Sequence, residues 1–174
     1  MSSPEPTVGQ YMTAEPATAD AGLRLSDAQE RMGLDNIRHL VVLYAGQVAG
    51  MLSSRDIAMA LSMPGSNREK LLVQDAMADQ PYVCTSNTPI SEVAREMEAN
   101  RYGAAIVVDG DEVVGVFTTT DALRALRELA TGQRAEHATS ANHLPPTERQ
   151  PPRRFHIRKH RPIDTHGSGM FKTS

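Results

Sequence analysis

Two copies of the pattern G-x-x-S/T-x-x-D, at residues 50–56 and 115–121, are the polar motifs with the most informative spacing. Each stands where an apolar β-rich run passes into a helical pattern. N–H groups and hydroxyls at a helix start can hold a phosphate, and a glycine leaves room for a flat ring beside the strand. An acid in this turn can accept hydrogen bonds from the two hydroxyls of a ribose. The spacing is therefore compatible with a nucleotide site at Asp56 and Asp121.

Helix capping explains the same spacing without a ligand. A Ser or Thr followed three residues later by an acid forms a capping box, as Ser53 with Asp56 and Thr118 with Asp121 would. The glycine of each motif would then mark only a bulge or close packing. Spacing alone does not separate the two interpretations, and both can hold at once.

Catalytic chemistry has little support in residues 1–132. They contain a single histidine, His39, and a single cysteine, Cys84, neither of them in a nucleophile motif. A phosphate-binding loop of the GxxxxGK type and paired CxxC motifs are both missing from the sequence. A lone cysteine forms no internal disulfide and no zinc site by itself. We therefore expect no enzyme activity, no catalytic residue and no metal site.

The elements around the two motifs are repeated along the chain. A shift of 65 residues aligns 8–61 with 73–126 without a gap. The identical pairs include Val8/Val73, Met12/Met77, Pro16/Pro81, Met32/Met97, Val42/Val107, Gly50/Gly115 and Asp56/Asp121. One offset over this length indicates a duplicated fold unit.

Both copies have the same predicted elements. After a short strand, apolar residues at helical spacing begin at Leu25 and Ile90, and Ser26 and Ser91 are expected as helix caps. Two β-rich runs across a glycine-containing turn then predict a hairpin. A second helical pattern follows the hairpin and, in the second copy, contains Leu123, Leu126 and Leu129.

The predicted unit is thus β-α-β-β-α, and the fold class is α/β, more narrowly α+β. One such unit buries too little surface to be stable alone. We expect repeats at 8–63 and 73–130, joined by a linker at 64–72 and packed sheet against sheet with pseudo-two-fold symmetry. The helices would cover the other face of the sheets.

The remaining residues, 131–174, form a basic tail rich in Pro and His. The first 132 residues contain 10 Lys+Arg and 18 Asp+Glu, and the rest contain 8 and 3. The favoured explanation is a solvated, disordered tail. A nucleic-acid contact through 153–161 and a metal site at His156 and His160 are weaker alternatives, since each rests on one short pattern.

Together these features resemble a pair of CBS domains, named after cystathionine β-synthase. The likeness rests on the duplicated unit, the segment Ile-Arg-His-Leu-Val-Val at 37–42 and the two motifs, and it covers about residues 8–130. It implies a disc-like module with ligand clefts between the paired repeats, often dimeric. Many such pairs bind AMP, ADP, ATP, S-adenosylmethionine or NAD and regulate enzymes, channels or transporters.

The resemblance also implies which residues bind a nucleotide. Asp56 and Asp121 would hold the ribose, Arg38 and His39 would lie near phosphate, and Thr18 and Val83 would flank the base. The other expected site residues belong to the two motifs and are Gly50, Ser53, Ser54, Arg55, Gly115, Thr118, Thr119 and Thr120.

Two departures from the family pattern affect this expectation. Many members have a proline within the segment that corresponds to Leu40-Val41, and this chain has none there. The second copy has Gly103-Ala104 where the first has Arg38-His39. The two clefts should therefore share one design but differ in their chemistry near phosphate.

From this we expect a regulatory sensor that binds an adenine nucleotide, AMP, ADP or ATP, with S-adenosylmethionine or NAD in the same ligand class. The alternative is a ligand-free module for dimerisation or partner docking. One form of this alternative adds a basic tail that contacts nucleic acid. We expect a homodimer and an unidentified regulated protein, but not nucleic-acid binding. A signal-peptide pattern and an apolar run of ~20 residues are both missing, which predicts a cytoplasmic protein without a membrane segment.

Overall fold

The computed structural model describes residues 5–132 and 156–157. Repeat 1 contains β1 (Thr13–Ala14), β2 (Thr18–Asp20), α1 (Leu25–Leu34), β3 (His39–Tyr44), β4 (Gln47–Ser53) and α2 (Ser54–Ser62). Repeat 2 contains β5 (Val83–Thr85), α3 (Ile90–Asn100), β6 (Ala104–Asp109), β7 (Glu112–Thr118) and α4 (Thr119–Thr131). The order β-α-β-β-α is therefore confirmed in both repeats. A last strand, β8, spans His156–Ile157.

The hairpins form where the glycine-containing turns predict them. In repeat 1 the turn residues Ala45 and Gly46 both have positive φ, 50° and 78°, and in repeat 2 Gly110 has φ 64°. Positive φ in a short turn matches the right-handed twist of the two strands it joins. Each hairpin pairs antiparallel, and each has one register shift, between Val42 and Leu43 and at the equivalent place in repeat 2. The duplication thus extends to the irregularities of the strands.

Each repeat contributes its first residues to the other repeat. A short 3-10 helix precedes each one, at Val8–Gln10 and Val73–Asp75. The side chain of Val8 is fully buried in the core of repeat 2, and that of Val73 is fully buried in the core of repeat 1. The two halves of the sequence are therefore not the two halves of the packed molecule.

The same exchange extends to the strands. β1 pairs antiparallel with β7, with Thr13 opposite Val116. At the equivalent position of the other half, Ala78 forms a bridge with Met51 of β4. Because both crossings use backbone hydrogen bonds, they fix the register of the first residues of each repeat against a strand of the other repeat.

The expected caps at Ser26 and Ser91 are wrong, because the exchanged segments perform that role. Helices α1 and α3 begin two residues earlier than serine caps at 26 and 91 require. The Leu25 N–H donates to the Leu71 carbonyl at 2.8 Å, and the first N–H of α3 donates to the Pro6 carbonyl at 3.1 Å. A crossing carbonyl thus satisfies the first N–H of each helix, which has no partner within the helix.

Three apolar clusters form the core. One belongs to repeat 1, one to repeat 2, and the third joins the two sheets through Val41, Val48, Met51, Ala104, Ile106, Val108, Val113 and Val116. The buried faces of α1 and α3 are those that the sequence pattern predicts. In α4, however, Leu123, Leu126 and Leu129 are 56–65% exposed. The buried residues of that helix are Asp121, Ala125 and Glu128.

The tail contributes one described element. β8 pairs in parallel with the start of β4 and antiparallel with the start of β7, so it links the two hairpins in the sheet order β2-β3-β4-β8-β7-β6-β5. The predictions for the rest of the tail, including disorder and a basic patch, concern residues that lie outside the described ones.

Candidate ligand-binding site

Both motifs form capping boxes. In repeat 1, the backbone N–H and the hydroxyl of Ser53 donate to Asp56 Oδ2 at 2.8 and 2.6 Å, and the Asp56 N–H donates to the Ser53 hydroxyl at 3.2 Å. Thr118 and Asp121 repeat this arrangement at 2.8, 2.7 and 3.4 Å. One carboxylate oxygen of each aspartate is therefore occupied in starting a helix. The capping interpretation holds in both repeats, and any ligand must use what remains.

The second carboxylate oxygen differs between the repeats. In repeat 2, Arg124 Nη2 donates to Asp121 Oδ1 at 2.9 Å and also to the Tyr11 carbonyl oxygen. In repeat 1 the residue equivalent to Arg124 is Met59, and Asp56 Oδ1 has no hydrogen-bond partner in the described part of the chain. Asp121 is only 5% exposed, whereas Asp56 is half-buried. Asp56 thus retains an accessible acceptor that Asp121 lacks.

The predicted residues of repeat 1 lie together at one end of its sheet. Thr18 begins β2 and pairs beside Val41, His39 begins β3 opposite Ser53, and the Ser54 N–H donates to the carbonyl of the residue before β3 at 3.0 Å. The starts of β2 and β3, the end of β4 and the start of α2 therefore converge near Asp56. In the equivalent end of repeat 2 the same pairings join Val83, Thr118 and Thr119.

The side chains on the first turn of each motif helix point into solvent. Ser54, Arg55, Thr119 and Thr120 are all exposed, and Arg38, just before β3, is exposed as well. The structure thus leaves these polar groups accessible at the same end of the sheets. It gives them no hydrogen bond in the described part of the chain apart from those of their backbone.

The two ends meet where His39 packs against repeat 2. A Cβ on Gly103 would lie 2.7 Å from His39 Nε2, so the glycine makes room for the imidazole. Burial lowers the pKa of His39 below its ordinary value of 6.5; Asp56 opposes the shift, and Arg38 adds to it. The imidazole is therefore neutral at pH 7, and the exposed guanidinium groups of Arg38 and Arg55 supply the positive charge at this end.

The motif glycines have a different role from the expected one. A Cβ on Gly50 would clash with the Ala78 carbonyl oxygen, and a Cβ on Gly115 would lie 2.8 Å from the Thr13 carbonyl oxygen. The expectation that a flat ligand ring approaches the strand there is wrong, because the crossing segment of the other repeat fills that space. Close backbone approach is the reason for glycine at both positions.

Sequence reasoning missed a pair of aromatic rings in repeat 2. Tyr82 and Tyr102, just before β5 and β6, stack with ring centroids 5.5 Å apart and planes at 15°. Tyr102 is 38% exposed and directly precedes Gly103. Their equivalents in repeat 1 are Ala17 and Ile37. The signal for this pair was that two of the few aromatic residues stand just before neighbouring strands of one repeat.

An open cavity of about 420 Å³ lies beside α2, between that helix and the segment that leads into repeat 2. Its lining residues are Asp56, Met59, Ala60, Met63, Pro64, Gly65, Ser66, Leu71, Asp75 and Ala76. Asp56 is thus shared by this cavity and by the sheet end described above.

The one cysteine is not available for covalent chemistry. Cys84 lies on β5 with 8% of its surface exposed. Burial raises the pKa of its thiol to about 11, and the charge of Glu92 acts in the same direction. A thiol that stays protonated at neutral pH is a poor nucleophile.

Comparison with known proteins identifies the family. Residues 8–63 and 73–128 each match the CBS domain. The chain belongs to the CBS domain family. Its fold, two β-α-β-β-α repeats in one body, is that of a CBS pair.

This CBS pair is similar to part of a known enzyme. It is 26% identical over 124 residues to the homoserine O-acetyltransferase of Methanohalobium evestigatum, which covers 70% of this chain and 24% of the enzyme. The chain thus spans about a quarter of the length of the curated relatives it matches.

Solved CBS structures superpose on most of the chain. An uncharacterized conserved protein from Pyrococcus horikoshii is 26% identical with a TM-score of 0.68, and the match covers 79% of this chain and 100% of that one. The CBS domain pair of protein MJ0100, in complex with 5′-methylthioadenosine and S-adenosyl-L-methionine, is 26% identical with a TM-score of 0.64. That match covers 75% of this chain and 100% of the other.

Two kinds of feature are absent from residues 5–132 and 156–157. None of the helices there has the length and apolar character needed to cross a membrane. No group of three or more His, Cys, Asp or Glu side chains in that part is arranged to hold a metal ion.

Proposed function

We propose that this CBS pair is a regulatory sensor that binds an adenosyl ligand with the ribose at Asp56. The observation that supports this most is the contrast between the two motif carboxylates. Asp56 Oδ1 has no partner in the described chain, whereas both oxygens of Asp121 are occupied. Ribose hydroxyls need an acceptor with accessible lone pairs. A ligand at Asp121 would first have to displace Arg124, so we expect one strong site and one weak site.

The surroundings of Asp56 suit the other parts of such a ligand. His39, near Asp56, contacts Gly103, which adjoins the exposed ring of Tyr102. An aromatic face at this place gives a purine a surface on which to stack. Arg38 is exposed at the same end of the sheet and stays charged at any physiological pH.

These groups favour a ligand that carries phosphate. The CBS pair of MJ0100 holds 5′-methylthioadenosine and S-adenosyl-L-methionine, which supports the adenosyl class. Arg38 supports the phosphate-bearing compounds AMP, ADP and ATP over these two, which carry no phosphate. Such ligands are cytosolic, and we place the sensor in the cytoplasm, where it would regulate a partner protein.

Calorimetric titration with AMP, ADP, ATP, NAD, S-adenosylmethionine and 5′-methylthioadenosine tests this proposal. The informative variants are Asp56→Asn and Asp121→Asn, because an amide oxygen can still accept in the capping box. We expect Asp56→Asn to weaken binding by about tenfold or more, equivalent to ~1.4 kcal/mol. Asp121→Asn should change the affinity of the strong site less than about twofold.

Two outcomes would contradict the proposal in different ways. If none of the six compounds binds the wild-type chain, the adenosyl class is excluded. If the two variants weaken binding equally, the class stands but the assignment of the ribose to Asp56 fails.

A second candidate function is self-association without a ligand, as a homodimeric docking module. It is favoured by the exposed row Leu123, Leu126 and Leu129 on α4, a helix whose buried face is partly polar. A second copy packing on this row would remove apolar surface from water. Sedimentation equilibrium should then show a dimer that Leu126→Glu dissociates. Leu34→Glu, at a 77% exposed position on α1, is the matched control and should leave the dimer intact.

A further inference from the structure

The cavity beside α2 is the unfilled counterpart of a filled place in repeat 2. In the alignment of the two repeats, the equivalent of Met59 is Arg124, and the equivalent of Ala76 is Tyr11. Tyr11 is 6% exposed and belongs to the core of repeat 2. The larger side chains of repeat 2 thus occupy space that their smaller equivalents in repeat 1 leave open.

Repeat 2 also shows which chemistry this place accepts. The Arg124 guanidinium bridges two acceptors, the Asp121 carboxylate and the carbonyl oxygen of Tyr11. An aliphatic stem carries this cation along the helix to the backbone of Tyr11, whose own side chain is buried in the core of repeat 2. In repeat 2, therefore, this backbone arrangement holds a cation on an apolar arm, and the chain itself supplies that cation.

Repeat 1 keeps the acceptors of this arrangement but lacks the cation. Asp56 Oδ1 is the equivalent of the oxygen that Arg124 contacts, and it has no partner in the described chain. Asp75 adds a second carboxylate, of which Oδ2 accepts from the Leu72 N–H at 2.9 Å. None of the residues that line the cavity carries a positive charge. Apart from Ser66, the other lining side chains are apolar, and they include the thioethers of Met59 and Met63.

We propose that this cavity binds a small organic cation, a guanidinium or ammonium group on an apolar arm. The charged group would lie between Asp56 and Asp75, and the arm would lie along the two methionines. The cavity volume of about 420 Å³ is within the range of small-molecule sites. This site overlaps the proposed adenosyl site at Asp56 and extends from there along α2, away from the strand ends.

The test uses n-butylguanidinium as the probe and n-butylurea as its uncharged isostere. The full-length protein, labelled with ¹³C at the methionine methyl groups, is titrated with each probe and observed by NMR. We expect the cation to shift the Met59 and Met63 methyl signals with saturation in the millimolar range or below. The urea should bind about tenfold more weakly or not at all, since it lacks the charge that the carboxylates attract.

Three variants locate the site. Met59→Arg supplies the cation of repeat 2 and should abolish probe binding, whereas Met59→Leu, which keeps the apolar shape, should retain it. Asp75→Asn should weaken probe binding about fivefold, because it removes one of the two carboxylate charges that face the cavity. Met59 and Asp75 are exposed, so these variants should fold.

The proposal is overturned if the cation does not shift the methionine signals, if the urea binds equally well, or if both Met59→Arg and Asp75→Asn leave probe binding unchanged. The titration contains no nucleotide. Its failure is therefore independent of whether the adenosyl proposal succeeds.

Discussion

The two motif-bearing ends of this CBS pair have nearly the same capping geometry, but the second carboxylate oxygen of the motif aspartate has different surroundings in each. In both, a hydroxyl and a carboxylate cap the helix with distances that agree within about 0.2 Å. In repeat 2 an arginine then neutralises the remaining oxygen, and a tyrosine fills the adjacent space. In repeat 1 the equivalent residues are a methionine and an alanine, and they leave both the carboxylate oxygen and the adjacent space open.

This difference separates what the duplicated scaffold requires from what each copy is free to change. The caps and the crossing segments occur in both copies, because each satisfies backbone groups that would otherwise be unpaired. The residues at 59 and 124 satisfy no backbone group of their own helix. They were therefore able to diverge, and their divergence leaves one carboxylate available and the other occupied.

The largest expected effect comes from the glycines at which the crossing segments touch the strands. Gly50→Ala should lower the free energy of unfolding by roughly 3 kcal/mol, because its Cβ would meet the Ala78 backbone. Gly115→Ala should cost less, since one of its closest neighbours is the flexible side chain of Met12. Urea denaturation of both variants measures the difference.

Gly33→Ala is the control for the glycine pair. Gly33 lies in α1 with nothing within 4 Å of a built Cβ, so alanine should stabilise the protein by up to about 1 kcal/mol. If Gly50→Ala and Gly33→Ala had similar effects, the close crossing at Gly50 would be refuted.

The next effect concerns Arg124 itself. Arg124→Met introduces the residue of repeat 1 and leaves the buried Asp121 carboxylate without its cation. We expect a loss of about 1–2 kcal/mol in the free energy of unfolding, reduced from the cost of a fully buried pair because the Arg124 side chain is 46% exposed. Met59→Ala, at a 57% exposed position, should change stability by less than about 0.5 kcal/mol. Equal losses would mean that the two ends do not differ as described.

The helix caps should have equal effects in the two repeats. Ser53→Ala and Thr118→Ala each remove a hydroxyl that accepts from a helix N–H, which costs ~1 kcal/mol. Thermal unfolding of the two variants should therefore give similar decreases in Tm. A much larger loss at only one of them would show that the capping boxes differ in strength.

The smallest effect is a pH dependence near neutrality that comes from His39 in repeat 1. Burial lowers the folded-state pKa of His39 below 6.5, so the unfolded chain binds this proton more readily. The associated stability is present in full above pH 6.5 and is lost as the pH falls from there through the folded-state pKa. His39→Gln should remove this part of the pH profile of the unfolding free energy. Its equivalent in repeat 2, Ala104, cannot titrate, so Ala104→Gly is expected to leave the profile's shape unchanged.

The sequence by itself determined the duplication, the order of elements and the capping boxes. Each depends on residues close together in the chain, such as Ser53 with Asp56, or on a period such as that of Leu25, Ala28 and Met32. Local spacing and hydrophobic periodicity report such features directly.

Only the tertiary structure decided how the two copies share their parts. The exchange of Val8 and Val73, the clash that requires Gly50, and the contact of His39 with Gly103 join residues far apart in the chain. The contact of Arg124 with the Tyr11 carbonyl is also long-range, whereas its contact with Asp121 joins residues three apart in one helix. The local pattern therefore records two equivalent aspartates, only one of them followed by an arginine. Which space beside each aspartate is filled depends on distant segments that only folding brings together.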